Sequence, residues 1–140
     1  MNVDNAKSQM RKGMLEYCVL LLLHKAPSYA TDIISQLKEA ELIVVEGTLY
    51  PLLTRLKKEG LLSYEWQEST QGPPRKYYAL TTEGETFLTE LDNAWGELVR
   101  TVTYLKNDHP QLPTLLHPPS NPRNHEKKYY HQPFRTALSY

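Results

Sequence analysis

Between Glu46 and Leu80 the spacing of apolar residues changes from three-and-four to two. Leu49, Leu53 and Leu56 follow the helical period, and Leu52 widens the stripe. Gly60 stands where a helix of about residues 46–59 would need a left-handed residue to stop it. Beyond it, Leu62, Tyr64 and Trp66 alternate with Ser63, Glu65 and Gln67, and Tyr78 and Leu80 alternate with Tyr77 and Ala79. The segment between, Ser69-Thr70-Gln71-Gly72-Pro73-Pro74, is rich in turn formers. A helix followed directly by an antiparallel hairpin over about residues 61–80 is therefore expected.

The flanking segments are helical. The first helix is read from about Lys7 to Lys25, with Met10, Met14, Tyr17, Leu21 and His24 in helical register. Cys18 to Leu23 are apolar on every side, which predicts burial all round and contact with a second subunit. Ala26-Pro27 breaks that helix, and Ser28 is the expected N-cap of a second one reaching about Ala40. Ile33, Ile34 and Leu37 mark its inner face, with Thr31, Gln36 and Lys38 outside. A final helix of about residues 82–106 begins at Thr81 or Thr82, the latter forming a capping box with Glu85. Residues 107–140 hold most of the prolines and histidines without periodicity, and are read as a flexible Pro/His-rich tail.

The fold class is thus mainly α with a small β-hairpin. It is a winged helix-turn-helix over residues 1–81, followed by a long C-terminal helix. In such a fold the third helix enters the major groove and the hairpin is the wing. The formal net charge is zero, but its distribution is uneven. Five acids, Glu83, Glu85, Glu90, Asp92 and Glu97, fall in the last helix, while Arg55, Lys57, Lys58, Arg75 and Lys76 fall in the third helix and the wing. A basic face can coexist with an acidic back.

Groove reading needs short polar groups for base edges and cations for phosphates. Thr48, Tyr50 and Thr54 are candidates for the first, and Arg55, Lys57 and Lys58 for the second. Pro51 on the same outer face, Thr31 at the start of the second helix and the wing tip Arg75, Lys76 and Tyr77 complete the expected DNA face.

Glu46-Gly47-Thr48-Leu49-Tyr50-Pro51-Leu52-Leu53, then Arg55-Leu56 and Glu59-Gly60-Leu61-Leu62, resembles the recognition-helix signature of PadR-family transcriptional regulators. Gly72-Pro73-Pro74-Arg75-Lys76-Tyr77-Tyr78, then Leu80-Thr81 and Gly84, resembles that family's wing and the start of its final helix. The resemblance covers about residues 10–105. It implies a winged helix with a C-terminal dimerisation helix, usually a repressor, and marks Thr48, Tyr50, Thr54, Arg55, Arg75 and Lys76 as DNA contacts.

In the last helix Leu88, Leu91, Trp95, Leu98, Val102 and Leu105 are spaced as an a/d seam. The pattern alone serves an internal core stripe or a dimer interface equally, and the resemblance favours a homodimer. Such a dimer would present its two third helices about 34–36 Å apart and read a palindrome in double-stranded DNA. Trp95 is either a large core residue or, by resemblance to multidrug-responsive members, one half of a pair that sandwiches a planar hydrophobic effector at the dimer centre.

Other function classes find little support. No phosphate-binding glycine loop, HExxH, CxxC or nucleophile elbow occurs, so neither an enzyme, a cofactor nor a metal site is expected. The longest apolar run, Tyr17 to Leu23, is too short to span a membrane. The lone Cys18 suits a reducing compartment. The expected location is the cytoplasm, at the bacterial nucleoid when bound to DNA. The competing reading is a winged-helix adaptor that binds protein rather than specific DNA.

Overall fold

The computed structural model describes residues 2–107. The order is α1 (Val3–Lys25), β1 (Ser28–Tyr29), α2 (Ala30–Glu39), α3 (Glu46–Lys58), β2 (Leu62–Ser69), β3 (Gly72–Leu80) and α4 (Thr82–Lys106). Helices dominate, and the three strands form one antiparallel sheet in the order β1-β3-β2. The expected tail lies outside the described residues, apart from Asn107.

α1 starts earlier than its apolar pattern because Asn2 caps it: the Asn2 Oδ1 accepts the Asp4 N–H at 2.9 Å. Its buried residues are Leu15, Val19, Leu20 and Leu23, whereas Cys18, Leu21 and Leu22 remain half-buried. Burial on every side is therefore not reached within one chain.

Ser28 is not a helix cap. It is buried in the two-residue strand β1, paired with Tyr78, and its hydroxyl donates to the Ala26 carbonyl at 3.3 Å. Tyr29 takes the N-cap position of α2 without a side-chain cap bond. α2 and α3 both end in the paired hydrogen bonds that follow a left-handed residue. After α3, Gly60 (φ 79°) and Leu61 donate to Lys57 and Leu56. After α2 the same role falls to Glu41 (φ 65°), with Glu41 and Leu42 donating to Lys38 and Leu37.

The hairpin is longer than its composition suggests. Ser69 pairs with Gly72, so only Thr70 and Gln71 form the turn. Between that pair and Gln67↔Arg75, Pro73 and Pro74 oppose the single Glu68. β1 reaches only Tyr77 and Tyr78, so no neighbour on that side asks the prolines for an N–H.

Thr81, not Thr82, caps α4. Its Oγ1 accepts the Gly84 N–H at 3.0 Å and donates to the Gly60 carbonyl at 2.7 Å. Where α1 ends, His24 Nδ1 lies 2.7 Å from Glu85 of α4.

The chain divides after Glu90 into two compact units. The core of the first is built on Val19, Leu20, Ile33, Leu49, Leu53, Leu56 and Leu62, all fully buried. Each such side chain contributes roughly 1.5–3 kcal/mol by leaving water. Gly84 and Leu88 are buried in this unit too, so the opening turns of α4 belong with the winged helix. Leu88, expected on the dimer seam, is a core residue (3% exposed).

Candidate nucleic-acid interface

α3 places the candidate residues on three different surfaces. Its inner face is Leu49, Leu52, Leu53 and Leu56, all buried. At 3.6 residues per turn the opposite ridge is Gly47, Pro51, Thr54 and Lys58, and all four are exposed. The Thr54 hydroxyl donates to the Tyr50 carbonyl at 3.0 Å, leaving its oxygen free to accept. Tyr50 and Lys57 lie on the flank nearest the wing. Thr48 and Arg55 lie on the flank nearest α1, where Arg55 meets Glu16 at 3.7 Å. Arg55 is thus turned aside from the outward ridge that the sequence pattern gave it.

The wing carries its cations on opposite faces. Paired residues share a face, so Lys76 lies with Trp66, Tyr64 and Tyr78, while Arg75 lies with Gln67, Tyr77 and Tyr29. Arg75 stacks over the Tyr29 ring at 3.9 Å rather than over its neighbour Tyr77. Tyr29 in turn packs on Tyr77, with centroids 4.9 Å apart, and donates its hydroxyl to Gln67 Oε1. On the other face the Lys76 ammonium sits 4.6 Å from the Tyr64 centroid and 5.4 Å from Trp66, and Lys57 reaches the same Tyr64 ring at 5.7 Å. Each such contact is worth about 0.5–1 kcal/mol at an exposed site, enough to restrain a long cation.

The start of α2, the outer side of α3 and the wing enclose a concavity of about 290 Å³. Tyr29, Thr31, Tyr50, Thr54, Trp66 and both wing cations, Arg75 and Lys76, line it. Trp66, which alternates in β2 with Leu62 and Tyr64, is 63% exposed here. Tyr78 forms part of the lining and is otherwise buried. Burial first, then Tyr50 and Tyr64, hold its hydroxyl above the ordinary tyrosine range, so it stays neutral. A second hollow of about 220 Å³ opens on the other flank of α3, where Ser8, Arg11 and Lys12 of α1 meet Ile43, Val45 and Thr48. Sequence reading missed Tyr29, Trp66, Arg11 and Lys12. Arg11 and Lys12 had a signal, being cations in the first helix, but nothing local said which helix they would face.

The second unit presents an apolar stripe. Leu91 is half-buried, while Trp95, Leu98, Val102 and Leu105 are exposed. Among the described residues there is no cluster of His, Cys, Asp or Glu suited to a metal ion, and no helix long and apolar enough to cross a membrane. The four histidines of the tail lie outside the described residues. Burial holds the Cys18 thiol above its ordinary range, which disfavours the reactive thiolate.

Comparison with known proteins agrees with this fold. The model of the transcriptional regulator PadR-like family matches residues 19–90. A PadR-like transcription factor from Bacteroides fragilis of known crystal structure is 73% identical, covering 72% of this chain and 98% of its own, with a TM-score of 0.63. A PadR-family transcriptional regulator from Eggerthella lenta is 33% identical over 76% of this chain and 94% of its own, with a TM-score of 0.68. A transcriptional regulator of Mycobacterium tuberculosis is 46% identical over 59 residues, 42% of this chain and 54% of that protein. These relatives are regulators, not enzymes.

Proposed function

We propose, from the premise that the chain belongs to the transcriptional regulator PadR-like family, that it is a homodimeric, DNA-binding repressor of the bacterial cytoplasm. The observation that carries this reading is the shared concavity. Tyr50 and Thr54 of α3, the first turn of α2 and the wing cations Arg75 and Lys76 line one surface. α3 inserts in the major groove, with Thr54 and Tyr50 at base edges and Lys58 at a phosphate. Lys57 and Lys76 grip the backbone beside the wing, and Arg75, stacked on Tyr29 at the rim of the same concavity, adds a further cation. The start of α2 carries no side-chain cap, so its free N–H groups beside Thr31 suit a further phosphate.

The apolar stripe of α4 supports pairing with a second copy. A twofold dimer would read two half-sites about one helical turn apart, and so a palindrome. Occupancy of such an operator blocks the promoter beneath it.

Selection of duplexes from a random library by the purified protein, followed by binding in rising potassium chloride, tests this reading. The expected result is an enriched palindrome whose log affinity falls by about 0.9 per phosphate neutralised against log salt. A protein that enriches no sequence and shifts no duplex at low salt is an adaptor instead.

Release by a small molecule is the finer part of the proposal. Trp95 is 43% exposed on the α4 stripe, which suits stacking of a planar hydrophobic ligand between two copies. The chain has two tryptophans, so a Trp95→Phe variant reports on Trp66 alone. A ligand that acts at Trp95 quenches the wild type and leaves the variant unchanged. Equal quenching of both would place it elsewhere.

A further inference from the structure

A helix seated in the major groove has a phosphate backbone on each side. The groove is roughly 12 Å wide, and a helix with its side chains nearly fills it. A recognition helix therefore gains from cations on both flanks. On the wing flank of α3, Lys57 and Lys76 share the ring of Tyr64. On the other flank α3 has its own cation, Arg55, but Glu16 of α1 holds it at 3.7 Å. That pairing turns Arg55 towards α1, where Glu16 competes with a phosphate for it.

Arg11 and Lys12 stand on the same flank. Both are exposed, and both line the hollow that Thr48 of α3 closes. Neither has a carboxylate within ion-pair distance among the described residues. Ser8, one turn before Lys12 on α1, adds a hydroxyl to the same wall. This wall borders the first turns of α3, the end that a recognition helix drives deepest into the groove.

We propose that Arg11 and Lys12 of α1 form a second phosphate-binding rail, gripping the DNA backbone on the side of the recognition helix opposite the wing. The inference rests on the DNA-binding reading above. The two rails bracket α3.

The test compares wild type, the Arg11→Ala/Lys12→Ala double variant and Lys76→Ala on a fluorescein-labelled duplex from the selection and on its scrambled counterpart. The double variant should bind both duplexes more weakly, and its salt slope should fall by about two units. The slope of Lys76→Ala should fall by about one. Hydroxyl-radical footprints should lose protection on different strands in the two variants. Arg11 and Lys12 are exposed and Lys76 is half-buried, and matching thermal melts verify the folds. An unchanged slope and footprint in the double variant, beside a reduced slope in Lys76→Ala, overturns the rail and leaves the DNA reading intact. A wild type that binds neither duplex at low salt overturns both.

Discussion

A Cβ added to Gly84 would stand 2.2 Å from the carbonyl oxygen of Leu61. The first turn of α4 thus lies directly against the chain that leaves the recognition helix. Thr81 reinforces the contact: its N–H donates to the same Leu61 carbonyl at 3.1 Å, and its hydroxyl binds the Gly60 carbonyl. One short junction fixes the exit of α3, the end of the wing and the entry of α4.

Gly84→Ala should therefore destabilise the protein, although alanine favours a helix by about 1 kcal/mol. The clash is with backbone, which cannot rotate away. Overpacking typically costs about 1–3 kcal/mol, and more where the neighbour is rigid. A net loss of about 2 kcal/mol in urea unfolding is expected. Gly13→Ala is the control, since nothing lies within 4 Å of a Cβ there. It should raise stability by up to about 1 kcal/mol. Equal gains of propensity size in both variants would mean that the junction yields more easily than its geometry implies.

Glu41 supports a second prediction. It is a non-glycine residue at φ 65°, in the left-handed position that ends α2. Such a conformation costs an L-residue about 1–2 kcal/mol, which glycine avoids while losing more chain entropy on folding. Glu41→Gly should stabilise the protein by about 0.5–1 kcal/mol. Gly60→Ala, at φ 79° after α3, should do the reverse by about the same amount. Chemical denaturation of the two variants measures both signs, and a destabilised Glu41→Gly would refute the argument.

Much of this architecture could be read from period and punctuation. The Leu49–Leu56 stripe, Gly60 as a stop, and the Leu62–Trp66 alternation are local signals, and each gave its element the right type and nearly the right ends. What failed depends on partners distant in sequence. β1 is two residues long and exists because Ser28 and Tyr29 find Tyr78 and Tyr77. Thr81 rather than Thr82 is the cap because Gly60 also offers it a carbonyl. Pro73 and Pro74 look like loop but tolerate a strand whose other side is open. In the candidate site, periodicity put Arg55 on the outer half of α3. It could not say that Glu16 would claim it.

Thr54 offers a test of base reading. Because its hydroxyl proton is given to the Tyr50 carbonyl, only its oxygen lone pair faces outward. It can accept from adenine N6 or cytosine N4, and it is a poor donor to guanine or thymine oxygens. Thr54→Val removes the acceptor and keeps the shape. The variant should lose about 1 kcal/mol on operators that present adenine or cytosine at one position, and nothing on those that present guanine or thymine. Competition binding on a set of single-base operators reads this directly. Uniform weakening across the set would make Thr54 a backbone contact instead.

The α4 stripe separates two roles that the heptad pattern joins. Leu88 is 3% exposed within the first unit, whereas Leu98 is 55% exposed and Leu105 is 65% exposed. An aspartate at position 88 would bury a carboxylate in the winged-helix core and should unfold it. An aspartate at position 98 would meet water in the single chain and cost little there. In a dimer it would be buried against its own twin, where an unpaired carboxylate costs several kcal/mol. Leu98→Asp should therefore weaken self-association by at least about a hundredfold while leaving the far-ultraviolet dichroism intact. Sedimentation equilibrium measures the first and a far-ultraviolet dichroism spectrum the second. A Leu98→Asp protein that stays dimeric would move the interface off this stripe. A monomer that still bound a single half-site weakly would establish that dimerisation supplies affinity by joining two winged helices, each already competent to read DNA.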